Sequence, residues 1–325
     1  MKRNTFFNIH NANDFARISL EIFKFQAENN SVYKEFINYL HIDIRDVKNI
    51  SQIPFLPIQF FKSHKIISSK EKIQQLFLSS GTTGNKQSKH FVTDISVYEK
   101  SFEKGFEYFY DSIENYTILA LLPSYLEREG SSLIYMVNSF IKNSKKPKSG
   151  FYLNNLDELY ENLLELDKNG EKTLLIGVSF ALLDLVEKYK FQLKNTIIME
   201  TGGMKGRRKE LIREELHQIL CEGFGVKKIH SEYGMTELLS QAYSKGNGIF
   251  ECPPWMKILI RDTEDALTLL PKGKSGGINV IDLANINSCS FIATQDLGKT
   301  YANNTFEVLG RFDNSDIRGC NLMVM

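Results

Sequence analysis

Short apolar runs alternate with amphipathic stretches through the middle of this 325-residue chain. The strand-like runs are residues 118–122, 173–178, 195–199 and 227–230, and the helix-like stretches between them are residues 133–141, 181–189 and 207–220. Such alternation is typical of βαβ units with right-handed crossovers, so it predicts an α/β fold with a parallel sheet flanked by helices. Ligands of such sheets bind outside the carboxyl ends of the strands, where we expect a site.

The two ends of the chain differ from this middle. Residues 13–29 and 32–40 carry apolar side chains at helical spacing, which predicts an N-terminal helical segment over residues 1–50. From Trp255 onward, strand-like runs dominate. We therefore expect an α/β core over residues 51–255 and a β-rich module over residues 256–325.

Composition argues against several classes of function. The 40 basic and 39 acidic residues nearly balance, which is unlike a surface that binds nucleic acid. No apolar run approaches the roughly 18 residues of a membrane span, and the first residues are too short an apolar stretch for a signal peptide. The cysteines form no CxxC pattern, which indicates reduced thiols and predicts a cytoplasmic protein. They are Cys221, Cys252, Cys289 and Cys320.

Residues 79–86, which we call the hydroxyl-rich loop, have the composition of a phosphate-binding segment. They are Ser79, Ser80, Gly81, Thr82, Thr83, Gly84, Asn85 and Lys86. Backbone amides beside glycines, four hydroxyls and one cation are the groups that bind a polyphosphate. A Walker loop is excluded, because that pattern needs Gly immediately before its Lys. Taken alone, the loop could equally be a surface turn.

Residues 233–237, which we call the Tyr-Gly turn, offer a second set of nucleotide-binding groups. They are Tyr233, Gly234, Met235, Thr236 and Glu237. They supply a flat face for a base, a hydroxyl for a phosphate and a carboxylate oxygen of the kind that Mg²⁺ prefers. Taken alone, this segment could also be a strand end that runs into a helix.

Three further segments follow strand-like runs or precede the end of the chain. Thr201-Gly202-Gly203 follows residues 195–200, and Thr294-Gln295-Asp296-Leu297-Gly298 follows residues 290–293. The third is Gly310-Arg311-Phe312-Asp313. A short carboxylate such as that of Asp296 can accept hydrogen bonds from two adjacent hydroxyls.

These five segments, in this order, resemble the signature of the adenylate-forming ligases, which couple a carboxylate to AMP. The resemblance implies a fold like the N-terminal domain of those enzymes and a need for ATP and Mg²⁺. It assigns the phosphates to the hydroxyl-rich loop with Lys86, and the adenine to Gly202, Gly203 and the Tyr-Gly turn. Within that turn, it assigns the α-phosphate to Thr236 and Mg²⁺ to Glu237. It assigns the ribose to Asp296, and ribose and phosphate to Arg311. One departure is Gln295, where the family prefers Gly.

Other segments narrow the resemblance to the acyl-protein synthetases, over roughly residues 50–325. They are residues 53–57 with Phe61-Lys62, residues 122–128 running into residues 131–133, and residues 318–322. That family includes the synthetase component of the fatty-acid reductase complex of luminous bacteria. The resemblance implies a fatty acid activated as acyl-AMP and then carried on a cysteine. Phenylacetate–CoA ligases share the nucleotide motifs and are the nearest rival.

Cys320 matches the position at which that family carries its acyl group. A thiolate attacks acyl-AMP readily, and the neighbouring Arg318 could lower the pKa of the thiol. The alternative is a small buried side chain in a final strand, since residues 322–324 are apolar.

The end of the chain departs from ordinary adenylate-forming enzymes, in which a small C-terminal domain delivers a catalytic lysine. No lysine follows Lys299 here, so we expect this lid domain to be absent. Another cation would then act on the developing charge, with Arg128, Lys205 and Arg207 as candidates. His230 could line the acyl site, or it could be a satisfied histidine at a strand end.

Three hypotheses of function remain open. The first is ATP-dependent activation of a fatty acid, with transfer to the protein's own cysteine or to a reductase, acyltransferase or carrier protein. The second is an acyl- or aryl-CoA or carrier-protein ligase. The third is a nucleotide- or acyl-binding subunit without turnover. Pyrophosphate release that depends on a carboxylic acid separates the first two from the third, and dependence on CoA separates the second from the first.

Overall fold

A computed structural model describes residues 5–80, 86–123, 130–202 and 211–312. The chain forms two compact units: a terminal unit, made of residues 1–70 and 254–325, and a central unit, made of residues 71–253. The α-helices are α1 (Ala12–Asn29), α2 (Ser31–Tyr39), α3 (Phe60–Ser63), α4 (Ile95–Tyr110), α5 (Ser132–Ser144), α6 (Leu156–Lys168), α7 (Ser179–Lys188) and α8 (Arg213–Phe224). The strands are β1 (Leu56–Pro57), β2 (Gln75–Leu78), β3 (Lys89–Val92), β4 (Thr117–Leu121), β5 (Gly150–Phe151), β6 (Thr173–Val178), β7 (Thr196–Thr201), β8 (His230–Tyr233), β9 (Ala242–Ser244), β10 (Ile249–Glu251), β11 (Met256–Arg261), β12 (Ser275–Asp282), β13 (Phe291–Thr300) and β14 (Phe306–Arg311).

The terminal unit combines helices from the start of the chain with an antiparallel sheet from its end. The strand order is β11-β12-β13-β14, and β1 pairs in parallel with β13. Helix α1 begins after Asn11, whose side chain accepts a hydrogen bond from the backbone N–H of Asp14. Its apolar face buries Phe15, Ile18 and Phe23, so the predicted helical stripe is core, as its spacing indicates.

The segment 294–298 lies inside strand β13 and not after a strand, which corrects the expectation from the sequence. β13 pairs with β12 through residues 291–293 and again through residues 297–299, with an irregularity between these two stretches, and it pairs with β14 from Asp296 to Thr300. Gly298 is suited to this position because a Cβ there would lie 2.5 Å from the carbonyl oxygen of Glu307. Pairing with β14 therefore continues the strand beyond its apolar part, and the two backbones approach closely at Gly298.

The central unit contains the α/β alternation that the sequence predicts. Strands β5, β4, β6, β7 and β8 run parallel in that order, and β9 and β10 extend the sheet in antiparallel fashion. Every residue of β4 and of β6 is buried, as expected for parallel strands covered by helices. A separate hairpin pairs β2 with β3. The α/β fold class predicted from the sequence is confirmed.

Two boundaries differ from the expectation. The strand expected at residues 227–230 begins only at His230 and ends at Tyr233, so the first residue of the Tyr-Gly turn belongs to the strand. Helix α8 begins at Arg213. The pairing register sets the bounds of β8, because β8 pairs with the end of β7 from Met199 to Thr201. None of the helices within the described ranges is both long and apolar enough to span a membrane.

Gln26 ties helix α1 to the segment before β13. Its buried side-chain amide donates to the carbonyl oxygens of Asn285 and Ile286, at 3.0 Å each, and to the hydroxyl of Ser290 at 3.2 Å. Its Oε1 accepts from the backbone N–H of Ser290 at 2.9 Å. One side chain thus satisfies several buried backbone groups that are far apart in the sequence.

We expect Gln26→Leu to lower the free energy of unfolding by about 3 kcal/mol, because it leaves buried donors and acceptors without partners. Urea denaturation followed by circular dichroism measures the change. The matched control is Gln218→Leu on the exposed face of α8, where the change should stay within about 0.5 kcal/mol. Equal effects at the two positions would contradict this account of Gln26.

Candidate active site

Strands β7 and β8 of the central unit bring two of the predicted nucleotide-binding segments to one edge of the sheet. The strands are parallel, with Met199 opposite His230 and Thr201 opposite Glu232. Gly202 and the Tyr-Gly turn therefore leave the sheet at the same level. This edge, at the carboxyl ends of parallel strands, is where α/β sheets bind ligands.

After Tyr233, the last residue of β8, the Tyr-Gly turn continues as a reverse turn. The backbone N–H of Leu238 donates to the carbonyl oxygen of Met235 at 3.0 Å, which closes the turn around Thr236 and Glu237. Tyr233, Met235 and Thr236 are partly exposed, whereas Glu237 is only 6% exposed. A carboxylate buried to this degree needs donors or a cation to stabilise it.

The hydroxyl-rich loop is described at its two ends, and these are held together. The backbone N–H of Ser79 donates to the carbonyl oxygen of Ser88 at 3.1 Å, and the N–H of Ser88 donates to the hydroxyl of Ser79 at 2.9 Å. The side-chain amide of Gln87 donates to the carbonyl oxygen of Ser79 at 2.9 Å. Lys86 is exposed. Strands β2 and β3 carry this closed base on their hairpin.

His90 joins that hairpin to the Tyr-Gly turn, a contact that the sequence did not reveal. Its Nδ1 lies 2.8 Å from the carbonyl oxygen of Thr236. Because a carbonyl oxygen only accepts, Nδ1 carries the proton and donates. Burial lowers the pKa of His90 to about 4, although the hydrogen bond to Thr236 acts in the opposite direction. The imidazole is therefore neutral at neutral pH.

Glu232 is a second residue of this edge that sequence reasoning missed. The hydroxyl of Thr201 donates to its Oε2 at 2.5 Å, so the last residue of β7 is bonded to the strand that carries the Tyr-Gly turn. The carboxylate is 9% exposed and also abuts Gly234: a Cβ there would lie 2.3 Å from Oε1 of Glu232. The sequence alone does not place Glu232, because only the register of β8 on β7 sets it opposite Thr201.

On the opposite face of the same strands, Glu200 forms a buried ion pair. Its Oε1 accepts from Nη1 of Arg213 at 2.8 Å and lies 3.6 Å from Nε2 of His217. Burial by itself would raise the pKa of Glu200, but the hydrogen bond from His217 and the charge of Arg213 hold it below its ordinary value. This pair anchors helix α8 to the end of β7.

His230 lies at the amino end of β8, away from the edge that carries the Tyr-Gly turn. Its Nδ1 is 3.1 Å from the hydroxyl of Tyr110, and the side chain is buried. Burial lowers the pKa of His230 to about 4, and the charges of Lys228 and Lys245 add to this effect. Both features are those of a neutral histidine within the core; a role in the acyl site stays a hypothesis.

Asp296 and Arg311, the predicted ribose contacts, are neighbours in the terminal unit. They face each other across the β13–β14 ladder, and Nε of Arg311 donates to Oδ1 of Asp296 at 3.1 Å. Asp296 is buried while the Arg311 side chain is 80% exposed. The hydroxyl of Thr294 accepts a hydrogen bond from the backbone N–H of Asp296 at 3.1 Å, which holds the backbone at Asp296 in place.

Other predicted site residues lie outside the described residues: Gly81, Thr82, Thr83, Gly84, Arg128, Gly203, Lys205, Arg207, Arg318 and Cys320. Of the cysteines that the structure does describe, Cys289 is buried, and this burial raises its pKa to about 12. Burial also raises the pKa of Cys221, which is partly exposed. Neither environment favours a thiolate.

The fold is similar to those of solved adenylate-forming ligases. ATP-bound MatB from Rhodopseudomonas palustris matches with a TM-score of 0.55 and 17% identity, over 75% of this chain and 49% of that chain. A 2-hydroxyisobutyryl-CoA ligase in complex with 2-HIB-AMP and CoA matches with a TM-score of 0.69 and 12% identity, over 94% of this chain and 70% of that chain. At such identities the likeness shows the fold, and this chain spans about half the length of MatB.

A match to a family model identifies the group within this class. The model of LuxE, acyl-protein synthetase, matches residues 130–325, which is more than half of the chain. The chain therefore belongs to the acyl-protein synthetase family, as the sequence motifs predict. A search of curated protein sequences gave no significant match.

The contact between Gly234 and Glu232 leads to a coupled prediction. We expect Gly234→Ala to lower the free energy of unfolding by about 1 to 3 kcal/mol, because the new methyl group overlaps a carboxylate that Thr201 holds in place. Glu232→Ala should also destabilise, since it leaves the hydroxyl of Thr201 without this acceptor. The double variant should lose less than the sum of the two by about 1 kcal/mol, because the overlap is gone. Urea denaturation of the four proteins measures this coupling, and strict additivity would contradict the contact.

Proposed function

We propose that this protein activates a carboxylic acid with ATP and then transfers the acyl group to a cysteine thiol. The first step forms acyl-AMP and pyrophosphate. We further propose that the carboxylic acid is a fatty acid. The observation that carries the proposal is the meeting of Gly202 and the Tyr-Gly turn at one edge of a parallel sheet, in a member of the acyl-protein synthetase family. The structural likeness to ATP-bound MatB supports ATP as the nucleotide.

The chemistry requires two anions to meet. An oxygen of the substrate carboxylate forms a bond to the α-phosphorus of ATP while the bond to pyrophosphate breaks. In our proposal, the backbone amides and hydroxyls of the hydroxyl-rich loop hold the phosphates, with Lys86 as their cation. Thr236, held in its turn by the hydrogen bond between Leu238 and Met235, orients the α-phosphate.

Glu237 is the proposed protein ligand of Mg²⁺. When bound, the ion would neutralise phosphate charge and hold the leaving group. Within the described ranges, no group of three or more His, Cys, Asp or Glu side chains is arranged to hold a metal ion. Mg²⁺ at phosphate sites is commonly held by one or two carboxylates together with the phosphates of the substrate. A single buried carboxylate beside Thr236 fits that kind of site.

Asp296 and Arg311 are the proposed ribose contacts. A carboxylate accepts hydrogen bonds from both adjacent ribose hydroxyls, and these charge-assisted bonds are stronger than neutral ones. The bond from Arg311 and the backbone hydrogen bond to Thr294 orient the carboxylate before the nucleotide arrives. Arg128, with Lys205 and Arg207 as alternatives, stays the proposed cation for the developing charge.

Cys320 is the proposed nucleophile of the second step. Its thiolate would attack the carbonyl carbon of acyl-AMP, so that a thioester forms and AMP leaves. The raised pKa values of Cys221 and Cys289 make those thiols poor competitors. The thioester would then pass to an acyl-accepting protein such as a reductase, an acyltransferase or a carrier protein. The likeness to a CoA ligase supports CoA as the alternative acceptor.

The adenylation step is tested by Glu237→Gln, which keeps the size of the side chain and removes its charge. We expect the rate of ATP–pyrophosphate exchange with dodecanoic acid to fall at least 100-fold, because the loss of a metal ligand costs several kcal/mol in the transition state. The control is Glu251→Gln, at an exposed position at the end of β10, which should exchange like the wild type. Near-normal exchange in Glu237→Gln would remove Glu237 from the mechanism.

The proposed acceptor of the acyl group is tested by the substitution Cys320→Ser, with Cys252→Ser as the matched control. Both variants should exchange pyrophosphate normally, because the thiol takes no part in that step. After incubation with ATP and radiolabelled dodecanoic acid, the wild type and Cys252→Ser should carry a label that neutral hydroxylamine releases. Cys320→Ser should carry none. Equal labelling of all three proteins excludes Cys320, and turnover that requires added CoA with no labelled protein favours a CoA ligase.

A further inference from the structure

His90 occupies the strand that leads out of the hydroxyl-rich loop. It is the second residue of β3, four positions after Lys86, and is 1% exposed. In the hairpin register it lies opposite Phe77, and Leu78 lies opposite Lys89. The closed base of the loop, at Ser79 and Ser88, is therefore only two residues from His90 along the strand. His90 and both ends of the loop therefore belong to the same short hairpin.

The acceptor of its hydrogen bond is part of the second nucleotide-binding segment. Thr236 is 146 residues further along the chain, in the middle of the Tyr-Gly turn. The turn continues from Tyr233, the last residue of β8. The bond at 2.8 Å is thus a direct connection between the hairpin that carries the hydroxyl-rich loop and the residue proposed to orient the α-phosphate.

The chemistry of this hydrogen bond indicates that His90 positions the Tyr-Gly turn and does not supply a positive charge. The imidazole donates a neutral N–H to a backbone carbonyl, so the side chain of Thr236 is not engaged by this bond. A histidine beside a phosphate site could instead supply a positive charge, but this one is buried in its neutral form. A neutral donor holds the turn without competing with Lys86 or Mg²⁺ for the phosphates.

We propose that His90 is a positioning residue for phosphate binding, which holds the Tyr-Gly turn at a set distance from the base of the hydroxyl-rich loop at Ser79 and Ser88. The proposal rests on the proposed function, because both segments must hold one nucleotide. The two segments contact successive phosphates of the same molecule, so a shift of about 1 Å between them is enough to reduce catalysis by as much as 100-fold. The effect should appear in catalysis more than in stability.

Three substitutions separate the hydrogen bond from the bulk of the side chain. His90→Asn keeps a side-chain N–H near the position of Nδ1, and His90→Gln places its amide further out, near that of Nε2. His90→Leu fills the space without a donor. In ATP–pyrophosphate exchange with dodecanoic acid, we expect kcat/KM for ATP to fall 10- to 100-fold in the Leu and Gln variants. The Asn variant should recover to within about threefold of the wild type, and Tm should not follow this order.

Hydrogen–deuterium exchange provides a reading that does not depend on activity. In the Leu variant, the amides of residues 234–238 and those of Ser79 and Ser88 should exchange at least tenfold faster than in the wild type, while those of β4 and β6 stay unchanged. The Asn variant should restore protection. If Asn is as defective as Leu, or if Leu matches the wild type in both measurements, His90 is a packing residue and the proposal is wrong.

Failure of the proposed function can be distinguished from failure of the proposal for His90. If the wild type does not exchange pyrophosphate with any carboxylic acid, the adenylation assignment is wrong. Calorimetric titration with ATP then tests His90 directly: weaker binding in Leu than in Asn would support the positioning role, and equal affinities or no binding in the wild type would overturn it.

Discussion

The parallel pairing of β7 with β8 is the constraint on which the candidate site depends. It sets Thr201 opposite Glu232, so the next residues of both strands leave the sheet side by side. The hydrogen bond between Thr201 and Glu232 follows from this register, and it holds the carboxylate that a Cβ at position 234 would overlap. A shift of one residue would turn Glu232 to the other face of the sheet and separate the two segments.

This edge of the sheet concentrates buried carboxylates where an anion is proposed to bind. Glu200 and Glu232 lie on opposite faces of adjacent strands, and Glu237 follows in the turn. Each buried charge costs several kcal/mol unless it is compensated. Arg213 and His217 compensate Glu200, and the hydroxyl of Thr201 donates to Glu232. In our proposal, Glu237 would in addition hold Mg²⁺, and the ion would also contact the phosphates of the nucleotide.

Periodicity was enough to predict the α/β class, because β4, β6 and β7 are short apolar runs between amphipathic helices. It failed where hydrogen bonding, and not apolar character, defines an element. Asp296 belongs to β13 because it pairs with Arg311 of β14, and the polar Thr294 lies between the two stretches of β13 that pair with β12. His90 and Glu232 could not be predicted from the sequence for a related reason. Each is an ordinary strand residue whose role depends on a partner distant in sequence, which is Thr236 for His90 and Thr201 for Glu232.

The terminal unit is assembled from both ends of the chain, and this affects how it can form during synthesis. Gln26 and its partner Ser290 are 264 residues apart, so the ribosome needs on the order of tens of seconds between them at typical elongation rates. Throughout that interval the apolar face of α1, with Phe15, Ile18 and Phe23, has no sheet to cover it. The central unit, in contrast, is contiguous in the chain. The nascent N-terminal helices are therefore the part of this protein that we expect molecular chaperones to bind.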